Sequence, residues 1–437
     1  MQTNNHTNHI EEPIAGDEIV TRKRKTIHED WVVVILGFMV IVLALGGIQS
    51  PVPAYGWSTA SDLSAKLFST ANLLNILLQF VFVFAIAALA AFLTGKPFRQ
   101  FIAVFPVIYI VSVLAIILSG NSEVKALNLE AVIFSLTLGL LIGNLIKLPN
   151  WFREALSTEL FVKIGLVILG TAVIFGDILK AGSYGLLQAL IVVLSVWYFA
   201  FWVCTKLKID KEMTMMISSA VSICGVSAAI ATAGAIKGDN KKLSYVISLV
   251  LITAIPMMIG MPYLANWLGL SQAVTGAWLG GTIDTTGAVV ASGTLVGEEA
   301  LKISTIVKFS QNVLLGLAAF AISVYWTLDS NKNADKQREK PGLRVIWQRF
   351  PKFVIGFVGA SLLFSFVLDA SQTAGVKESL KNIQTLWFVL AFTSIGLETN
   401  FADLFTIENR KPLTGFVIAQ VFNILVTLVV AYFLFRN

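Results

Sequence analysis

Two apolar segments built largely from small residues, 213–236 and 272–297, constrain the fold of this chain more than any other feature. Each is long enough to enter a bilayer, and each contains residues that break a helix near its middle. The first break is Ser-Ile-Cys-Gly at 222–225, and the second is Gly-Gly-Thr-Ile-Asp-Thr-Thr-Gly at 280–287. Paired interrupted segments are typical of transporter solute sites, because unwound backbone presents its amides and carbonyls to a solute.

The composition restricts the protein class. Of 437 residues, 56% are hydrophobic and 13% are charged, whereas a soluble chain is about a quarter charged. The histidines lie in the polar N-terminal region, and the two cysteines lack Cys-x-x-Cys spacing, which argues against a membrane metal site, a disulfide framework and any metal cofactor. The net charge of +6 is explained by basic residues at helix ends, so no nucleic-acid partner is expected.

The other apolar runs predict an all-α polytopic membrane protein. One crossing needs about 20 apolar residues. On that measure the chain has about eleven full spans besides the two interrupted segments, at residues 31–48, 73–94, 101–119, 128–147, 161–179, 183–204, 243–267, 303–327, 349–369, 383–398 and 412–435.

Lysine and arginine positions predict the orientation. The run 22–25 places the N-terminus in the cytoplasm, since basic residues favour that side. If residues 213–236 crossed fully, the basic cluster 237–242 would lie outside, whereas a re-entrant hairpin would return it to the cytoplasm. Two arrangements of the interrupted segments therefore remain open: two opposed hairpins, or two broken helices that cross the membrane fully.

A weak internal repeat points to an inverted-repeat transporter. Residues 163–179 resemble residues 391–404: in both, a glycine-bearing apolar helix runs into Phe-Gly-Asp or Phe-Ala-Asp. The predicted topology makes the two helices antiparallel, as an inverted repeat requires. The alternative is chance similarity between helices rich in glycine, leucine and isoleucine.

Several motifs resemble those of the YeiH-type family, whose members are labelled sulfate exporters. They are the signature at 222–232, a second signature at 281–293, and the helix motifs at 306–313, 138–144 and 395–400. The resemblance covers residues 101–437. It implies a fold related to bile acid/sodium symporters and sodium/proton antiporters, in which a core moves against a scaffold and dimers are common. Where many members have His-Glu, this chain has Asp284-Thr285.

These boundaries predict a domain organisation. Residues 1–29 form a polar cytoplasmic tail, and 30–98 form an added N-terminal helix pair. Residues 99–437 form the transporter core with the broken segments 213–236 and 272–297.

The first break supplies candidate solute ligands. Ser222, Cys224, Gly225 and Ser227 offer small side chains, hydroxyls and backbone amides, and helix N-termini at such a break suit anions. The alternative interpretation is close packing of helices through small residues.

The second break supplies a candidate coupling site. Asp284 is an ionisable residue at membrane depth, where charges are rare and usually functional. Thr282, Thr285 and Thr286 add neutral oxygens, and oxygen ligands suit hard cations, so Asp284 is predicted to take Na⁺ or H⁺. Alternatively, Asp284 caps a broken helix.

Four further polar residues complete the candidate set. Lys308 is a counter-charge for an anionic solute or for Asp284, or it extends along apolar surface to water. Gln311 and Asn312 follow on the same helix as polar lining. Glu398 is a second candidate for ion coupling, or a solvated residue at a helix end.

Together these features predict a secondary active transporter in the bacterial inner membrane. It would move a small anion (sulfate, a sulfonate or a small organic acid) by alternating access, coupled to H⁺ or Na⁺. Its partners would be this solute, the lipid bilayer and, in a homodimer, a second copy. The alternative is a passive anion channel, which lacks coupling to a second ion. An enzyme is disfavoured, because the apolar segments carry no histidine for a nucleophile–base pair.

Overall fold

The computed structural model describes residues 27–126, 131–329, 347, 350–399 and 410–436. Within these ranges the regular structure is helical, apart from one isolated bridge between Trp57 and Asn121. Most of the predicted cytoplasmic tail, the polar loop after residue 329 and the end of the proposed repeat lie outside the described residues.

The helices follow the predicted apolar runs. In chain order they are α1 (Glu29–Leu45), α2 (Ala60–Asp62), α3 (Thr70–Thr94), α4 (Phe98–Ser119), α5 (Ser122–Ala126), α6 (Ala131–Leu145), α7 (Asn150–Ala155), α8 (Thr158–Leu169), α9 (Phe175–Lys206), α10 (Lys211–Ser219), α11 (Val226–Ile236), α12 (Asn240–Trp267), α13 (Gln272–Thr282), α14 (Thr286–Val296), α15 (Glu298–Asp329), α16 (Phe353–Leu362), α17 (Ala370–Glu398) and α18 (Arg410–Phe435). Short π-helical stretches occupy Leu63–Leu67, Ala220–Cys224 and Leu363–Val367, and a 3₁₀ turn occupies Gly170–Ala172.

Among the described residues, seven helices are long and apolar enough to cross a membrane. They include α3, α4, α9, α12, α15 and α18, together with the stretch Asn150–Ala172. The four other predicted full spans correspond to α1, α6, α16 and α17, which are shorter or more polar. The polytopic helical class is therefore confirmed, whereas eleven crossings and the inverted repeat stay predictions.

Two helix boundaries differ from the sequence prediction. The break expected near residues 180–182 lies at 173–174, and α9 continues through Gly182. Close packing supports this continuation, because a Cβ on Gly185 would lie 3.3 Å from Val307 Cα of α15. Helix α17 starts at residue 370 instead of 383, and the Asp369 N–H donates to the side chain of Gln372 at 3.1 Å there.

The helices pack into two groups. In the α8 group, α17 packs on α6 and α8, and α1 packs on α8. In the α15 group, α15 packs on α9, α11, α13 and α14, and α18 packs on α9 and α13. Thr158 contacts Glu398, and Gly165 lies against Phe388, so α8 and α17 are antiparallel.

Candidate functional site

The first broken segment folds back on itself. It consists of α10, the π-helical turn and α11, and we call it the first hairpin. Lys242 Nζ, just beyond its end, contacts Asp210 Oδ1 at 2.8 Å and Glu212 Oε2 at 3.2 Å, just before and at its start. The two ends therefore lie side by side, as in a re-entrant hairpin and not in a helix that crosses fully.

The second broken segment, α13 and α14, forms a second hairpin. The Ala300 N–H, after α14, donates to Gln272 Oε1 at the start of α13 at 3.4 Å. Between the two hairpins runs α12, whose 28 residues span about 42 Å as helix. The first hairpin therefore ends where α12 begins, and the second hairpin begins where α12 ends, so the two hairpins enter from opposite sides and are opposed.

The two tips meet. Gly225 has φ +58°, which favours glycine. A Cβ there would lie 2.6 Å from Val250 Cγ1 and 3.0 Å from the Asp284 Cβ of the other tip. A larger residue at 225 would therefore push the tips apart.

In each hairpin we call the helix before the tip the first leg (α10 with its π-helical turn, and α13) and the helix after it the second leg (α11 and α14). Lys308 of α15 joins the two first legs. Its Nζ donates to Ile223 O at 2.9 Å and Ile283 O at 2.8 Å, and also to Gln311 Oε1 at 2.8 Å. The side chain is 1% exposed. Its charge therefore lies at the carbonyl ends of two helices, where the helix dipole is negative.

Three carboxamide side chains satisfy further carbonyls at the same place. Gln311 Nε2 donates to Ser222 O (2.9 Å) and Gly281 O (3.1 Å), Asn423 Nδ2 to Val221 O (3.0 Å) and Thr282 O (3.3 Å), and Gln420 Nε2 to Thr282 O (3.1 Å). Gln420 and Asn423 of α18 were not among the residues predicted from sequence. A polar pair three residues apart in an apolar helix was the signal for them.

The N-terminal ends of the second legs, α11 and α14, are satisfied differently from the C-terminal ends of the first legs. The N-cap of α11 is Gly225, which has no side chain to cap this helix. In α14, Thr285 Oγ1 accepts the N–H of Ala288 at 3.3 Å. Both starts lie at the wall of one cavity.

This cavity has a volume of about 720 Å³ and lies between the two helix groups. Six residues predicted for solute or ion binding line it: Cys224, Ser227, Thr285, Thr286, Asn312 and Glu398. It therefore unites residues from both hairpins, α15 and α17.

The other six predicted residues lie outside the cavity lining. Gly225, Lys308 and Gln311 take part in the contact between the tips, and the Ser222 hydroxyl donates to Ser218 O within its own helix at 2.7 Å. The others, Thr282 and Asp284, are buried side chains.

Asp284 and Thr282 contain polar atoms that lack a partner. Asp284 is 2% exposed, and neither its Oδ2 nor Thr282 Oγ1 has a hydrogen-bond partner among the described residues. Buried polar atoms are normally satisfied. These two oxygens are therefore available to a proton, an ion or a water molecule.

Charged residues of α1, α8 and α17, together with Lys96 between α3 and α4, form one side of the cavity. We call Glu29, Asp30, Lys96, Glu159, Lys163 and Glu398 the charged wall. Lys163 Nζ lies 3.0 Å from Glu29 and 3.1 Å from Asp30, while Glu398 Oε2 accepts the Thr158 hydroxyl at 3.0 Å. The charged wall therefore ties α1 to α8, and α8 to the end of α17.

Comparison with known proteins identifies the relatives. A family profile described as Conserved hypothetical protein 698 matches residues 104–415. A UPF0324 membrane protein of Rhodopirellula baltica is 42% identical over 388 residues, covering 86% of this chain and 70% of the relative. One from Nitratidesulfovibrio vulgaris is 39% identical over 353 residues, covering 78% of this chain and 60% of the relative.

A more distant relative is a UPF0324 membrane protein of Nitrosomonas europaea, which is 28% identical over 442 residues and covered to 89% of its length. No solved structure was found to match this chain. Because the profile extends from α4 into α18 and so includes both hairpins, the chain belongs to the family described as Conserved hypothetical protein 698.

Proposed function

We propose that this protein is a secondary active transporter of a small anionic solute, coupled to H⁺ or Na⁺ by alternating access. The observation that carries the proposal is the pair of opposed hairpins whose tips meet beside a cavity of about 720 Å³. Irregular backbone at membrane depth is tolerated where it is buried in protein or lines a water-filled cavity. In the predicted orientation, the cavity opens on the cytoplasmic side of a bacterial inner membrane.

The donors around the tips favour an anion. The carbonyl ends of both first legs already accept hydrogen bonds from Lys308 and from side-chain amides. The N-terminal ends of the second legs, in contrast, lie at the cavity wall, where helix dipoles favour negative charge. Ser227 and Thr286 add hydroxyl donors. Sulfate, a sulfonate or a small carboxylate matches this set.

Asp284 is the proposed coupling residue. A buried carboxylate oxygen without a hydrogen-bond partner raises the free energy of the folded protein, and Asp284 Oδ2 is such an oxygen. A proton or Na⁺ bound there would supply the missing partner, and Thr282 Oγ1 is a second buried oxygen of the same tip that lacks one among the described residues. Lys308, whose Nζ is engaged by two backbone carbonyls, then acts as a fixed counter-charge and not as a solute ligand.

The test is flux in proteoliposomes. Uptake of sulfate, sulfite, ethanesulfonate and propionate is measured under imposed H⁺ or Na⁺ gradients for wild type, Asp284→Asn and the control Asp62→Asn, which changes a carboxylate in the connection between α1 and α3. We expect saturable uptake that depends on a gradient in wild type and Asp62→Asn, but not in Asp284→Asn. Flux that neither saturates nor responds to a gradient would indicate a passive channel.

Cysteine labelling locates the solute independently. Both cysteines are buried, but Cys224 lines the cavity with 7% of its surface exposed, whereas Cys204 is fully buried in the packing around α9. In a Cys204→Ser background, a small methanethiosulfonate reagent should modify Cys224, and a transported anion should slow this reaction. Transport without any protection of Cys224 would place the solute elsewhere.

A further inference from the structure

We propose that the solute carries a cationic group as well as an anionic one, and that Glu398 binds its ammonium group while the second-leg N-termini bind its anion. The proposed class is a short amino acid or aminosulfonate with separated charges. This inference rests on the proposed transport function and narrows its substrate.

The charged wall is the first observation. It contains four carboxylates and two lysines. Lys163 lies within 4.0 Å of Glu29, Asp30 and Glu159. In the described part of the chain, by contrast, no lysine or arginine lies within 4.0 Å of Glu398, which accepts only the Thr158 hydroxyl. Glu398 is therefore the carboxylate of this wall that has no lysine or arginine partner among the described residues, and it lies at an exposed position on the cavity lining.

The position of Glu398 relative to the hairpin tips is the second observation. A Cβ on Gly287, the second residue of α14, would lie 3.4 Å from Ile395 Cδ1 of α17. Glu398 lies three residues further along α17, a rise of about 4.5 Å. Glu398 and the start of α14 line the same cavity, and the proposal places the ammonium group of a short solute at the first and its anionic end at the second.

Asn312 is the third observation. This side chain lines the cavity and is 6% exposed, and its Oδ1 has no hydrogen-bond partner among the described residues. Its Nδ2 lies 3.5 Å from Thr286 Oγ1. The Asn312 side chain at the cavity wall therefore holds a buried acceptor that lacks a donor in the described part of the chain. Buried acceptors are normally satisfied, and an ammonium group supplies such a donor whereas a sulfate dianion does not.

The test compares solutes that differ only in the amine. Uptake of taurine (2-aminoethanesulfonate) is measured against ethanesulfonate, and β-alanine against propionate, in proteoliposomes of the full chain. We expect wild type to prefer each zwitterion by about tenfold in kcat/KM, since a hydrogen bond to a charged group is worth that much. Glu398→Gln, which retains the acceptor for Thr158, should reduce this preference about tenfold.

Two variants control the comparison. Glu378→Gln removes an exposed carboxylate from the same helix as Glu398, outside the cavity lining, and should retain the preference. Glu398→Asp keeps the charge and should retain part of it. These ratios are measured on the fraction of each variant that elutes as folded protein, so a loss of expression does not imitate the result.

The outcomes separate the two proposals. Coupled uptake of the anions, with no preference for zwitterions in wild type or with the same preference in Glu398→Gln, overturns the inference and leaves the transport function standing. If Glu398→Gln instead removes the H⁺ dependence for all solutes alike, Glu398 is a coupling residue and the inference is wrong. Absence of saturable flux for every solute contradicts the transport function itself.

Discussion

The two hairpins share an outline but differ at their tips. In the first hairpin the first leg ends in a π-helical turn, Ala220–Cys224, and the chain reverses at Gly225 with φ +58°. In the second hairpin the first leg stays α-helical to Thr282, and the chain continues through extended backbone at Ile283 and Thr285.

This difference assigns a different chemistry to each tip. The second tip has an N-cap side chain, Thr285, and an ionisable residue, Asp284, whereas the N-cap of the first tip is a glycine without a side chain. Under the proposed function, the starts of both second legs would face the anionic solute, and only the second tip would add a coupling ion, at Asp284. Lys308 serves both equally, since it donates to one carbonyl in each hairpin.

The largest effect should follow from removing the group that both tips share. Lys308→Met leaves two backbone carbonyls and Gln311 Oε1 without their buried donor, which should lower the free energy of unfolding by about 3–5 kcal/mol. Thermal unfolding in detergent measures this, and transport should be lost. Lys302→Met on the same helix, at a half-buried position, is the control. Equal stability of the two variants would show that Lys308 does not hold the tips together.

The second effect should come from the first tip alone. Gly225→Ala places a Cβ 2.6 Å from Val250 Cγ1 in a backbone conformation that alanine rarely adopts. We expect a loss of about 2–4 kcal/mol in stability and slower solute flux. Gly260→Ala in α12, where no atom lies within 4 Å of the added Cβ, should be neutral or stabilising. Equal free energies of unfolding for Gly225→Ala and Gly260→Ala would contradict the close approach of the two tips.

A smaller effect should come from the cap of the second tip. Thr285→Ala removes the acceptor for the Ala288 N–H and should lower the free energy of unfolding by about 1 kcal/mol. Thr285→Ser keeps the hydroxyl and should retain most of that stability, as judged by thermal unfolding in detergent. Equal losses in both variants would assign the effect to the methyl group and its packing.

The smallest effect should be at Ser222. Its hydroxyl donates to Ser218 O within the first leg and lies outside the cavity lining, so Ser222→Ala should change stability by less than about 0.5 kcal/mol. Ser227 lines the cavity, and Ser227→Ala should raise the half-saturating solute concentration about fivefold. Transport kinetics of the two variants would reverse this ranking if Ser222 contacted the solute.

Local chemistry accounts for what was predictable. Glycine and a carboxylate inside apolar runs mark the two breaks, because glycine adopts positive φ without strain and an ionisable residue is rare at membrane depth. Hydrophobic runs of sufficient length likewise predicted the helices, since a bilayer requires them. The break between α8 and α9 was misplaced, because α9 continues through Gly182 and packs Gly185 closely against Val307 of α15, a contact that the local sequence does not reveal.

The sequence by itself thus determined the protein class, the helices, the two breaks and the basic cluster that favoured hairpins. Only the tertiary structure decided how these parts meet: that the ends of each hairpin return to one another, and that Lys308 and Asn423 donate to both first legs. It also divided the predicted residues between a cavity wall and a buried contact. The physical reason is that a helix break creates unpaired backbone groups locally, whereas the side chains that satisfy them come from helices distant in sequence.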